Sequence, residues 1–253
     1  MILRLEHGEV RELRLNRPPV NALTSELLSD LRHAIAHAAT EGARAVVLSG
    51  LPGRFSAGLD VPLLLTLDEA GISKLWRELY ATLEAIARSP VPVVAAITGH
   101  APAGGTVLAL FCDWRVMAQG DYKIGLNEVL VGIPLPPVIL GGLRRLVGRR
   151  RAEYLGVSGT LISPGEALAA GLVDEVVPAE EVLPRALQWC GKLLSVPREA
   201  MRLTRRQARA DLEQLFASGI DAELKTVIAN WWSPETQETL QGLVERLKKK
   251  GGG

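Results

Sequence analysis

The chain runs to 253 residues, 47% of them hydrophobic and 23% charged, a size and composition that suit one large globular domain with a sizeable core. Its 29 Lys and Arg offset 28 Asp and Glu to a formal net charge of +1, so no global field draws it to nucleic acid or an anionic membrane, and partners must be sought in local sites. Two isolated cysteines, Cys112 and Cys190, form no CxxC or Cys/His spacing, which argues against a disulfide framework and a metal site and for a reducing, cytoplasmic compartment.

The opening MILRLEHGEV is charged by its fourth residue and lacks the apolar segment and cleavage site of a secretory signal, so it reads as mature protein. Residues 2–6 and 10–15 alternate apolar and polar about Gly8, a hairpin signature. Residues 24–39 carry Leu27, Leu28, Leu31, Ile35 and Ala38 at helical spacing, with Thr24 as N-cap and Glu26 in the first turn. A buried strand is expected over 44–50, an amphipathic helix over 69–89, a second buried strand over 91–98, a short apolar helix over 102–111 and a third strand over 113–118. Residues 89–112 lack Asp, Glu, Lys and Arg and are long enough to cross a bilayer. Pro90, Pro92, Gly99, Pro102, Gly104 and Gly105 interrupt them, however, so a buried strand, turn and helix is expected and no membrane span. Residues 163–178 read as a helix and short strand, and everything from Ala179 onward as helical, with starts marked by SVPREAM and by Ser233-Pro234. This alternation argues for an α/β fold, with residues 1–190 as core and 191–253 as a helical region. The terminal KKKGGG reads as disordered, and no internal repeat is evident.

Three short stretches carry chemistry. GRFSAGLD, residues 53–60, follows a strand with small residues, so Ala57 and Gly58 let backbone N–H groups approach a ligand; Asp60 is placed to cap a following helix. GHAPAGGTVLALF, residues 99–111, repeats the arrangement, with Gly104 and Gly105 in the first turn of an apolar helix, where N–H groups lack partners and the helix dipole is positive. Neither stretch is a Walker loop, a GxGxxG or a GxSxG elbow. Two such turns from separate segments are what an oxyanion hole requires. The third stretch, YKIGLNEVLVGIPLPPVIL over 122–140, holds one acid, Glu128, whose charged form an apolar pocket disfavours, lifting its pKa toward the range useful for proton transfer. A glutamate at a helix start has an ordinary electrostatic explanation as well. His100, beside a turn, fits a structural role better than that of a base.

Together, NRPPVNALT, FSAGLD, GHAPAGGTVLALFCDWRVMA and IGLNE resemble the crotonase, or enoyl-CoA hydratase/isomerase, superfamily, and within it the mitochondrial-type Δ3,Δ2-enoyl-CoA isomerases. The resemblance implies a crotonase-like ββα spiral core, a C-terminal helical region serving trimerisation, and assembly as a homotrimer or a pair of trimers. It implies an acyl-CoA or acyl-carrier-protein thioester as substrate, with coenzyme A entering only in that form and no metal or redox cofactor. Leu59 and Gly104 would supply the two oxyanion N–H groups. Ser56, Ala57, Gly58, Asp60, Gly105 and Asn127 would contact substrate or CoA. Tyr122 and Trp76 are further candidates for the pocket wall.

Family hydratases carry two glutamates, one of them three residues beyond the second oxyanion glycine. That position is Val107 here, leaving Glu128 as sole acid and base, which suits moving a double bond from the 3- to the 2-position through a dienolate better than adding water. Other chemistries of the superfamily are the alternative: hydration, hydrolysis, decarboxylation, or isomerisation of a carrier-protein-bound chain. RNA binding, known among crotonase relatives, is disfavoured by the near-neutral charge. The arginine-rich stretch 144–155 reads as the solvated face of two helices or as a docking patch for CoA phosphates or an acidic carrier protein.

Overall fold

Short runs of small and branched apolar residues organise the chain around two sheets. A computed structural model describes residues 1–251, save the side chains of residues 247, 248, 250 and 251. Strands β1 (Ile2–His7) and β2 (Val10–Leu15) form the expected antiparallel hairpin, with Ile2 opposite Leu15 and Gly8 turning the chain at φ +64°. Helix α1 (Ser25–Ala38) starts where Thr24 Oγ1 accepts from Leu27 N at 3.2 Å, and it buries Leu27, Leu28, Leu31, Ile35 and Ala38.

The chain then repeats one pattern three times, a long strand in the main sheet, a short strand in a second sheet, and a helix. The first round is β3 (Ala45–Ser49), β4 (Gly53–Arg54) and the helices α2 (Val61–Leu64) and α3 (Glu69–Arg88). The second is β5 (Val93–Ile97), β6 (Gly99–Pro102) and α4 (Gly104–Leu110). The third is β7 (Trp114–Ala118), β8 (Ile124–Gly125), a 3₁₀ turn (Glu128–Val131) and α5 (Pro137–Val147). Helices α6 (Arg149–Ser158) and α7 (Pro164–Ala170) lead to β9 (Glu175–Val177). The main sheet runs β1-β2-β3-β5-β7-β9, parallel from β2 onward, and the second runs β4-β6-β8, also parallel. This is the ββα spiral that the resemblance implies.

Every residue of β3 and β5 is buried, as strands covered on both faces must be. Val46, Leu48, Val93, Ala95 and Ile97 face α1 and α3, while Ala45, Val47, Val94 and Ala96 pack on Val182, Ala186 and Cys190 of α8 (Val182–Leu194). Both cysteines are buried and free. Residues 89–112 fold as β5, β6 and α4, and among the described residues no helix is long and apolar enough to cross a membrane.

The C-terminal region consists of α9 (Arg198–Ala208), α10 (Ala210–Gln214), α11 (Asp221–Trp231) and α12 (Pro234–Gly251). The boundary expected at residue 190 falls inside α8, and the helices beyond it are tied to the core. Arg205 grips the Asp113 carboxylate through Nε at 2.7 Å and Nη2 at 2.8 Å, and Arg209 Nη1 stands 3.3 Å from it. Ser233 caps α12 as expected, accepting from Thr236 N at 3.3 Å. Ser195 does not cap α9: its hydroxyl donates back to Lys192 O at 2.7 Å and so closes α8. Helix α12 continues to Gly251, so the three lysines expected to be disordered are helical, and the last two glycines lie outside the described residues. The adjacent tryptophans divide, Trp231 entering the core and Trp232 remaining exposed.

Candidate active site

The three chemistry-bearing stretches leave the three short parallel strands of the second sheet at their carboxyl ends. Residues 55–60 follow β4, residues 103–105 follow β6, and residues 126–128 follow β8. Glycine allows the first two to touch backbone to backbone. A Cβ on Gly58, which sits at φ +85°, would stand 2.9 Å from Ala103 Cβ and 3.1 Å from Gly104 N. One on Gly105 would stand 2.7 Å from Ser56 O. Ala103 adopts φ 47°, ψ −121°, a conformation costly for any residue with a side chain, and it starts α4 without a side-chain cap.

This contact presents two N–H groups. Leu59 pairs with Leu23 in an isolated parallel bridge, in which Leu23 N donates to Gly58 O and Leu23 O accepts from Asp60 N. The flanking peptides satisfy Leu23, so the N–H of Leu59 itself points the other way. Gly104 N is the first amide of α4 and has no acceptor in its own helix. Among the described residues neither amide donates to a protein group, and both residues line the same cavity of about 570 Å³.

Glu128 lines that cavity too, at the start of the 3₁₀ turn that Gly132 closes at φ +76°. Its Oε2 is buried and without a hydrogen-bond partner. Among the described residues the only other ionisable side chains in the lining, Arg17 and Asp60, neutralise each other at 2.6 Å. With no countercharge, burial pushes the Glu128 carboxyl up to about 7, against a small opposing contribution from a backbone hydrogen bond. The remaining walls are apolar, among them Trp76, Leu79, Val107, Ile133, Ile139 and, from α12, Leu243. Such a site suits an acyl chain with one polar end: two amides await a developing negative oxygen, and one poorly solvated carboxylate can take up and return a proton.

Of the residues expected at the site, Glu128, Leu59, Gly104, Ala57, Asp60, Asn127 and Trp76 line the cavity; Ser56, Gly58, Gly105 and Tyr122 do not. Ser56 is buried beneath the turn, its hydroxyl donating to Asn21 O at 2.7 Å and accepting from Gly58 N at 3.2 Å. Asp60 caps α2 through Leu63 N at 3.2 Å. His100 also lies outside the lining, accepting from Lys123 N at 3.2 Å and meeting the edge of Tyr122. The arginine-rich stretch does not line the cavity: Arg145 pairs with Asp211 at 2.8 Å and Arg150 with Glu153 at 3.3 Å.

Sequence reasoning missed the supports. Buried Asn21 joins the segments, its Nδ2 donating to Phe55 O at 3.0 Å and its Oδ1 accepting from Arg17 N at 2.8 Å. Buried Thr106 links α4, β6 and β8 through Ala101 O and both backbone groups of Gly125. Asn21 stands within NRPPVNALT, but only its burial distinguishes it from a turn residue. Leu243 carries no signal, being one of many helical leucines.

Comparison with known proteins bears on the family and the fold. The family profile described as enoyl-CoA hydratase/isomerase matches residues 6–251. Mouse mitochondrial enoyl-CoA delta isomerase 1 is 35% identical over 246 residues, covering 96% of this chain and 85% of its own. A probable enoyl-CoA hydratase of Mycolicibacterium paratuberculosis is 36% identical over 220 residues, 85% of this chain and 84% of its own. The crystal structure of human mitochondrial Δ3-Δ2-enoyl-CoA isomerase superposes with a TM-score of 0.93 at 32% identity, covering 98% of each chain. With its ββα spiral and paired amides, the chain belongs to the enoyl-CoA hydratase/isomerase family, the crotonase superfamily.

Proposed function

We propose that the protein moves the double bond of a 3-enoyl-CoA thioester into conjugation, giving the 2-enoyl thioester, with Glu128 as its only acid and base. The carrying observation is the single uncompensated carboxylate of the cavity, Glu128, facing a wall in which Val107 follows Gly104 at one helical turn. The isomerase relatives from mouse and human support the same reading.

The thioester carbonyl oxygen is received by the N–H groups of Leu59 and Gly104. Glu128 removes a proton from C2, the C–H electron pair delocalises into a dienolate, and the negative charge gathers on the oxygen between the two amides. Losing one such donor typically costs about a hundred- to a thousandfold in rate. Glu128 returns the proton at C4, so nothing is gained or lost overall and the reaction as written calls for no metal or redox cofactor. Hydration would need a water activated and a proton delivered; Val107 offers neither. The apolar walls keep water away from the dienolate and from the carboxylate.

The test is the ultraviolet absorbance of conjugated thioester formed from a 3-enoyl-CoA by wild type and Glu128→Gln, with hydration of a 2-enoyl-CoA as control. The expected outcome is isomerisation by wild type, negligible hydration, and a loss in the variant of at least about a hundredfold. Equal rates in the two proteins, or hydration faster than isomerisation, would sink the reading.

A further inference from the structure

The three segments that meet at the cavity are fastened to one another in different ways. The first two are locked backbone to backbone. Leu23 brackets Leu59 through Gly58 O and Asp60 N, and a Cβ on Gly104 would stand 3.1 Å from Gly58 Cα. The third segment carries Glu128 and arrives from β8, which has only two residues. That strand lies at the edge of the second sheet, with Ile124 opposite Ala101 and Gly125 opposite Pro102, and meets Ile162 in an isolated bridge.

Thr106 stands where this strand meets α4. It follows Gly104 by two residues, is 0% exposed and does not line the cavity. A threonine inside a helix commonly turns its hydroxyl back to a carbonyl of its own helix, as Thr239 of α12 does with Glu235 O at 2.7 Å. Thr106 instead reaches out of α4. Its hydroxyl accepts from Gly125 N at 2.8 Å, while its one proton is shared between Ala101 O at 2.5 Å and Gly125 O at 3.1 Å. A single oxygen thereby joins the helix that opens with the Gly104 amide, the strand before it, and the residue three positions ahead of Glu128.

We propose that Thr106 is a positioning residue, which sets the separation between the Gly104 amide and the Glu128 carboxylate and through it the rate at which a proton leaves C2. The inference rests on the proton-transfer reading above and adds to it a side chain that touches no substrate. Contacts of 2.5 to 3.1 Å are hydrogen-bond distances for a hydroxyl, whereas a carbon in its place stands about 3.3 Å or more from a carbonyl oxygen. Valine has the shape of threonine, so Thr106→Val forces β6, α4 and β8 apart by roughly half an ångström. The start of α4 is pinned, because a Cβ on Gly105 would stand 2.7 Å from Ser56 O. The short edge strand β8 yields instead, and Glu128 moves with it while the two amides stay together.

Wild type, Thr106→Val, Thr106→Ala and Thr106→Ser are to be compared in three measurements: calorimetric affinity and stoichiometry for a saturated acyl-CoA, exchange of the C2 hydrogens of a 3-enoyl-CoA in deuterated water, and steady-state isomerisation. A 1 Å misplacement at a reacting centre can cost about a hundredfold, so Thr106→Val is expected to slow exchange and kcat roughly tenfold, with KM and the saturated-ligand affinity within about twofold of wild type. Thr106→Ser keeps the hydroxyl and should restore both rates. Thr106→Ala removes it without crowding the strands and should also slow both, so the comparison with serine stands even if the valine variant does not fold. Exchange as fast as wild type in the valine or alanine variant overturns the proposal. So does a serine variant as slow as alanine, or a loss of affinity as large as the loss of rate, which would mark general damage to the fold. Exchange without isomerisation in wild type defeats the isomerase reading alone, because exchange reports on the base by itself. Absence of both in wild type overturns that reading and the role of Thr106 together.

Discussion

Glu128 and Glu12 are buried carboxylates with opposite consequences. Burial would raise Glu12 as well, but hydrogen bonds from Arg14, Ser49 and His7 overcome it and hold the carboxyl below its ordinary value. Glu128 has no such donors and stands at about 7. A base must be ionised, so kcat/KM for a 3-enoyl-CoA is expected to rise with pH through about 7 and then level off, as a pH-rate profile will show. The linkage has a definite sign. With a folded-state pKa above the ordinary 4.5, the stability contributed by Glu128 is complete below that value and is lost as pH rises through about 7. Glu128→Gln is therefore expected to melt higher than wild type at pH 8, by on the order of 2–3 kcal/mol, and to match it at pH 4. A gain present equally at both values would mean that the carboxyl is not desolvated. At Gly58, φ +85° and the nearness of Ala103 Cβ leave no room for a side chain. Gly58→Ala should lose roughly 1–3 kcal/mol in denaturant titrations, together with most isomerase activity, because the Leu59 amide moves.

At the scale of elements, the functional segments are the continuations of three parallel strands only two or four residues long. Their ends are held by side chains that do not touch the cavity. Asn21→Ala removes the links to Phe55 O and Arg17 N, and is expected to cost roughly 1–3 kcal/mol while lowering kcat without shifting the apparent pKa of the pH-rate profile. A shifted pKa would mean that Asn21 acts on Glu128 rather than on the oxyanion turn. The long elements are legible in the amino-acid order alone: α1 and α3 have 14 and 20 residues, and their apolar spacing and caps suffice. Gly99 to Pro102 read as a turn because a four-residue strand rich in Gly and Pro shows no period of its own.

For the molecule as a whole, the C-terminal helices close the cavity of their own chain, through Leu243 of α12 and through Thr236, whose hydroxyl donates to Gly132 O at 2.7 Å. Leu243→Ala should raise KM for long acyl chains more than for short ones, by steady-state kinetics on a chain-length series. Asp113 anchors α9 to the core with two arginines, so Asp113→Ala strands buried guanidinium charge and is expected to cost about 3–5 kcal/mol by urea unfolding. The amino-acid sequence by itself determined the α/β alternation, the lone glutamate among apolar neighbours and the small residues ahead of two helices. Each of these is a local pattern of residue types. Only the tertiary structure decided that Glu128, Leu59 and Gly104 share one cavity, that Ser56 supports the site from beneath, and that Trp76 of α3 helps to line it. Those facts depend on pairings such as Gly53 with Gly99 and Ala101 with Ile124, which exist only once distant segments have packed and expelled water between them.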